Sequence, residues 1–217
     1  MILRRYNRPG CCPLPVFQIR RKEMIKKEIG YFEQGGVENT DDTIEIVYQR
    51  LQEGDIKSVV VASTQGKTGL KFAQRMAKDT NLVIVSSQPG SRKPGVWGFD
   101  LDILKELETM GCKVLKQTHV LSGLERSFSN KFSGVSHSEL LSECLRCLFS
   151  VGIKVAIECA VMAADGGAIP IEKTVAVGGT AAKGRGADSA IVTLPSHANN
   201  FFDFRVLEIL AKPFRRD

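Results

Sequence analysis

Val59-Val-Val-Ala-Ser-Thr-Gln-Gly-Lys-Thr-Gly69 carries a β-branched run that stops at Ala62 and gives way to hydroxyls, glycines and one lysine. The pattern predicts a buried strand feeding a helix over about 68–78. Ser63, Thr64 and Thr68 supply hydroxyl donors, Gly66 allows a tight turn, and the first free N–H groups of the helix point into the same concavity. That is an anion site in outline. The stretch ends Gly66-Lys67-Thr68 like a P-loop, but the glycine a P-loop needs five residues before Gly66 is Val61. The expectation is therefore a phosphate cradle without ATPase chemistry; an ordinary strand-to-helix turn has the same pattern.

At 217 residues and 43% hydrophobic content, the chain is long enough for one well-buried domain and short for two. Its net charge of +6 is concentrated at one end, because Arg4, Arg5, Arg8, Arg20, Arg21 and Lys22 against Glu23 account for +5 of it. The rest carries no strong basic field, so nucleic acid is not an expected partner. The six cysteines, Cys11, Cys12, Cys112, Cys144, Cys147 and Cys159, form no secreted framework and fit reduced thiols in a cytoplasmic protein. Pro9, Gly10, Pro13 and Pro15 break any apolar run near the start, and no window approaches a membrane span.

Residues 1–28 read as a basic, flexible arm and 29–217 as a single α/β domain. Met24 offers a second start, and an arm reaching across the interface of a homo-oligomer is a further reading. Asn39 or Thr40 caps a helix with Ile44, Val47, Tyr48 and Leu51 on one face. The 59–69 unit follows, and Leu82-Val-Ile-Val-Ser86 is a second buried strand, which makes a βαβ unit of a parallel sheet. Trp97 and Phe99 lie in a Gly/Pro-rich loop after that strand, as a hydrophobic plug, a subunit contact or the cover of a ligand ring. A helix over 100–110 and a less apolar strand over 112–117, nearer the sheet edge, come next.

The serine-rich span 118–136, with Arg126 and Lys131, reads as polar and mobile, or as a cover that closes over a phosphorylated ligand. Ser136-His-Ser-Glu139 is a capping box before an apolar helix holding Cys144 and Cys147. With no second cysteine pair at zinc spacing, these two are expected in the core and no metal site is expected. In a helix over 154–165, Lys154 and Glu158 read as a surface pair, and Asp165 sits at the wrong end of the helix dipole, which favours a ligand or interface role. Strands over 174–178 and 188–194 are joined by a link too short for a crossover helix, so the second returns antiparallel. The apolar run 206–210 fits a strand or a helical turn.

Six blocks in order now permit a comparison. They are Tyr31-Phe32 with Asn39-Thr40, Val60-Val-Ala-Ser-Thr64, Gln117-Thr-His119 with Leu121-Ser-Gly123 and Glu125-Arg-Ser127, Met162-Ala-Ala-Asp165, Val177-Gly-Gly-Thr180 with Gly184-Arg-Gly-Ala-Asp188, and His197-Ala-Asn-Asn-Phe-Phe-Asp203. Over 31–213 the chain resembles the stand-alone family of pyruvate kinase C-terminal-domain-like proteins. The resemblance implies a three-layer α/β/α sandwich with a mostly parallel sheet of five or more strands and a late antiparallel strand. It also implies a phosphate-bearing ligand, flavin mononucleotide (FMN) being the one to name, and no pyruvate kinase activity, since that chemistry belongs to a barrel domain with metal-binding carboxylates. The basic arm before Met24 and the extra Ala181-Ala-Lys183 depart from the family pattern.

Two functions follow as expectations. In the first, the carboxyl ends of the strands present Ser63, Thr64, Gly66, Lys67, Thr68, Ser86, Ser87, Gln88, Thr118, His119, Gly178, Gly179 and Thr180 around a phosphorylated small molecule or flavin. In the second, the chain is an enzyme on such a substrate, with His119 or His197 as proton carrier and Asp165 or Asp188 orienting it. A subunit that only scaffolds is the third class.

Overall fold

A computed structural model describes residues 24–180 and 184–215. Residues 1–23, with Cys11 and Cys12, and the insertion 181–183 lie outside the described residues. Residues 24–29 are exposed for most of their length and without regular structure, and Lys27 pairs with Glu53 at 2.7 Å.

The β-branched runs form strands where expected: β2 (Ser58–Ala62), β3 (Asn81–Ser87), β4 (Lys113–Gln117), β5 (Thr174–Gly178) and β6 (Ser189–Leu194). Two more strands flank them, β1 (Gly30–Phe32) and β7 (Arg205–Pro213). All belong to one seven-stranded sheet in the order β1-β7-β6-β5-β2-β3-β4. Only β6 runs against its neighbours. The short link after β5 thus does what its length dictates, and the run 206–210 is strand. Near-continuous burial of β2, β3 and β5 is what a parallel sheet covered on both faces requires.

The helices are α1 (Thr40–Leu51), α2 (Lys67–Met76), α3 (Leu101–Thr109), α4 (Gly123–Phe132), α5 (His137–Leu148) and α6 (Val151–Asp165). Helices α1 to α3 cover one face, where Ile44, Val47, Phe72, Met76 and Leu107 pack on Val59, Val61, Ile84 and Val175. Helix α6 covers the other, with Ile153, Ala156, Ile157 and Ala160 on Ala176 and Ile191. The result is three layers. Gly178 lets α6 ride close on β5, since a Cβ there would run into the Gly152 carbonyl.

Four expectations are corrected. The 118–136 span is not one loop: Gly123–Phe132 is helical, with Leu124, Phe128 and Phe132 exposed. Cys144 and Cys147 lie on the exposed side of α5 instead of in the core. Asn39 does stand at the N-cap position of α1, but its side chain makes no cap bond; its amide donates to the Gln34 carbonyl at 2.8 Å. Lys154 and Glu158 are not a surface pair, being 4% and 2% exposed, because α6 is sandwiched between the sheet and α5 and is apolar around almost its whole circumference.

Candidate functional site

Strands β2, β3 and β4 step outward in one direction, and the chain then crosses the opposite face through α4, α5 and α6 to place β5 on the other side of β2. This reversal opens a crevice beyond the carboxyl ends of β2 and β5, the place where open α/β sheets bind ligands. A cleft of about 360 Å³ lies there.

Its β2 wall is the 59–69 turn. Gly66 adopts φ +95° just before α2, and a Cβ would come within 2.7 Å of Ile103 and 2.9 Å of Phe99, so the turn requires glycine. Ser63 Oγ accepts the Gly69 N–H at 3.1 Å, and Thr68 Oγ1 donates to the Arg185 carbonyl at 3.2 Å. Among the described residues, the N–H groups of Gly66, Lys67 and Thr68 meet no protein acceptor. The start of α2 therefore keeps its donors and the positive end of its dipole for something else.

The opposite wall comes from α4, α5 and α6, which contribute Arg126, Arg146 and Lys154, while the β5–β6 link contributes Arg185. Together with Lys67 these are five cations, facing Glu158 as the one carboxylate lining the cleft among the described residues. Glu158 is already engaged: its Oε2 accepts from Lys154 Nζ at 2.6 Å and its Oε1 from the Leu121 N–H at 2.9 Å. His119 also lines the cleft, with Nδ1 3.8 Å from Glu158 Oε2. Burial pushes the His119 pKa below the usual histidine value, and the nearby Lys154 and Arg126 charges lower it further against the pull of Glu158, which favours the neutral ring.

Of the residues expected at the site, Ser63, Thr64, Lys67, Thr68, Ser87, His119 and Gly179 line this cleft. Gly66 shapes it from behind. Ser86, Gln88, Thr118, Gly178 and Thr180 are not brought to it. Ser86 Oγ is turned toward the Leu115 carbonyl and accepts the Trp97 indole N–H at 2.9 Å, which pins Trp97 as a plug stacked on Phe99 at 4.9 Å, outside the cleft. Thr180 donates its N–H to Asp188 at 2.8 Å; Asp188 also accepts from Gly36 N–H and Ser189 Oγ, a buried clamp oriented toward neither histidine. His197 Nδ1 does sit 3.1 Å from Asp165, but at the far end of α6, where the same carboxylate caps the 198–203 turn through the Ala198 N–H. At 1.5 Å per residue that end lies about 16 Å along the helix from Lys154.

No protein-family model matches the sequence. Among the described residues, no group of three or more His, Cys, Asp or Glu side chains is placed to hold a metal ion, and no helix is long and apolar enough to cross a membrane.

Proposed function

We propose that the chain binds a phosphate-bearing small molecule in this cleft, with FMN the first candidate. The observation that carries the reading is the charge of the lining: Lys67, Arg126, Arg146 and Arg185 line a space in which, among the described residues, Glu158 is the one carboxylate and is itself paired with Lys154. Unused N–H groups at the start of α2 add directional donors. The volume suits a small ligand, and Ala62, Val85, Val151 and Val155 offer apolar surface for the uncharged part. The resemblance to pyruvate kinase C-terminal-domain-like proteins supports FMN in particular, and pyruvate kinase activity is not expected.

Native mass spectrometry of freshly purified protein, with a visible absorption spectrum, tests this reading. A retained phosphorylated species supports it, and flavin absorption identifies FMN. Protein without retained mass, whose melting temperature is unmoved by FMN, sugar phosphates or inorganic phosphate, contradicts it. An enzyme on a phosphorylated substrate is the second reading, favoured by His119 beside Glu158 in the cleft; His197 lies too far away to share it.

A further inference from the structure

Cradling a phosphate leaves His119 without a task. A half-exposed imidazole on the cleft wall has its Nδ1 side toward a buried carboxylate, and no hydrogen bond to Nε2 is made among the described residues. The carboxylate cannot swing away, because Lys154 and the Leu121 N–H hold one oxygen each, and the Leu121 carbonyl is itself fixed by Ser142 Oγ at 3.1 Å. A negative charge behind Nδ1 favours the tautomer with the proton there and the lone pair on Nε2. A neutral imidazole so oriented is a nucleophile, and the cations around it are of the kind that stabilise the equatorial oxygens of a phosphoryl group in transfer.

We propose that His119 is a phosphoryl-accepting residue: its Nε2 takes a phosphoryl group from a ligand held in the cleft, an acyl phosphate being the simplest donor. The inference rests on the phosphate-binding reading above. In the step, the Nε2 lone pair forms an N–P bond while the P–O bond to the acyl group breaks, and the leaving group departs with that electron pair as a carboxylate, needing no proton. The Nδ1 proton stays on the ring, 3.8 Å from the Glu158 oxygen that Lys154 also pairs, and the ring's positive charge is offset by the negative charge of the phosphoryl group it has taken. Arg126 and Lys67 follow the phosphoryl oxygens. Hydrolysis by water or passage to a second acceptor would regenerate the imidazole.

The full chain incubated with radiolabelled acetyl phosphate at about pH 8, where imidazole stays neutral, and then mapped by peptide, tests the step. The expected result is acid-labile, alkali-stable label on His119 and none on His137 or His197, which lie outside the cleft. His119→Gln and His119→Ala lose the label while keeping their melting transition. Equal label on all three histidines, or no label in a protein whose melting temperature inorganic phosphate still raises, overturns the inference and leaves the binding reading standing. Absence of both label and phosphate stabilisation overturns both.

Discussion

Glu158 Oε2 lies 2.6 Å from Lys154 Nζ one turn earlier on α6, and both side chains are almost fully buried at the floor of the cleft. Breaking such a pair strands a charge in the interior. Glu158→Ala is therefore expected to cost about 3–5 kcal/mol, and Lys154→Met with Glu158→Leu together to recover most of that. Urea midpoints of the single and double variants check it. A cost of about 0–1 kcal/mol for the single change, as for an exposed pair, would contradict the burial.

Gly66 is the hinge of the β2–α2 turn. Gly66→Ala combines a left-handed backbone with a methyl pressed on Phe99 and Ile103, and is expected to cost about 2–4 kcal/mol. Gly54 has φ +79° with nothing within 4 Å of its Cβ position, so Gly54→Ala pays the backbone strain alone, about 1 kcal/mol. Equal losses in thermal unfolding would remove the packing role assigned to Gly66.

The neutral form of His119 is favoured in the unliganded protein, because burial, with Lys154 and Arg126 and against the pull of Glu158, lowers its pKa. Its contribution to stability is complete above the unfolded value of about 6.5 and is lost as pH falls toward the lowered folded value. A bound dianion acts in the opposite direction and draws a proton onto the ring. Sulfate, which keeps its charge over this range, should bind more tightly as pH falls from about 7.5 to 6, with proton uptake lost in His119→Gln. Calorimetry in two buffers of different ionisation heat reads that uptake directly.

Arg50 joins α1 to β7 through Glu208 at 2.8 Å and to the α1–β2 turn through Asp55 at 2.8 Å. The guanidinium holds both carboxyl groups below their usual range. That stabilisation is present above the unfolded carboxyl values of about 4 and is lost as pH falls through the lower folded ones. Arg50→Met should flatten the acid limb of the stability profile, and an unchanged acid midpoint would show that the cluster contributes nothing there.

Legibility in the sequence followed locality. The β-branched runs, the turn at Gly66 and the antiparallel return of β6 depend on neighbouring residues, and each is present in the fold. The cationic wall was hidden because Arg126, Arg146, Lys154 and Arg185 stand on separate elements that only the crossover back to β5 brings together. Lys154 and Glu158 at i, i+4 look like any exposed pair; the contrary signal was the ring of apolar neighbours, Ile153, Ala156, Ile157, Ala160 and Val161, that marks a helix buried all round. Helix α4 was obscured by its serines, although Leu124, Phe128 and Phe132 already recur every four residues. Strand β1, at three residues, is too short to carry a period.

Isothermal titration of inorganic phosphate into the wild-type chain and into Lys67→Ala tests the anion cleft most directly. Saturable binding to the wild type is predicted, weakened about 10- to 100-fold in Lys67→Ala by loss of a charge-assisted contact of about 1.5–3 kcal/mol, with the melting transition of the unliganded variant unchanged. No heat of binding in the wild type, or equal affinity in both proteins, would contradict a phosphate site at the start of α2.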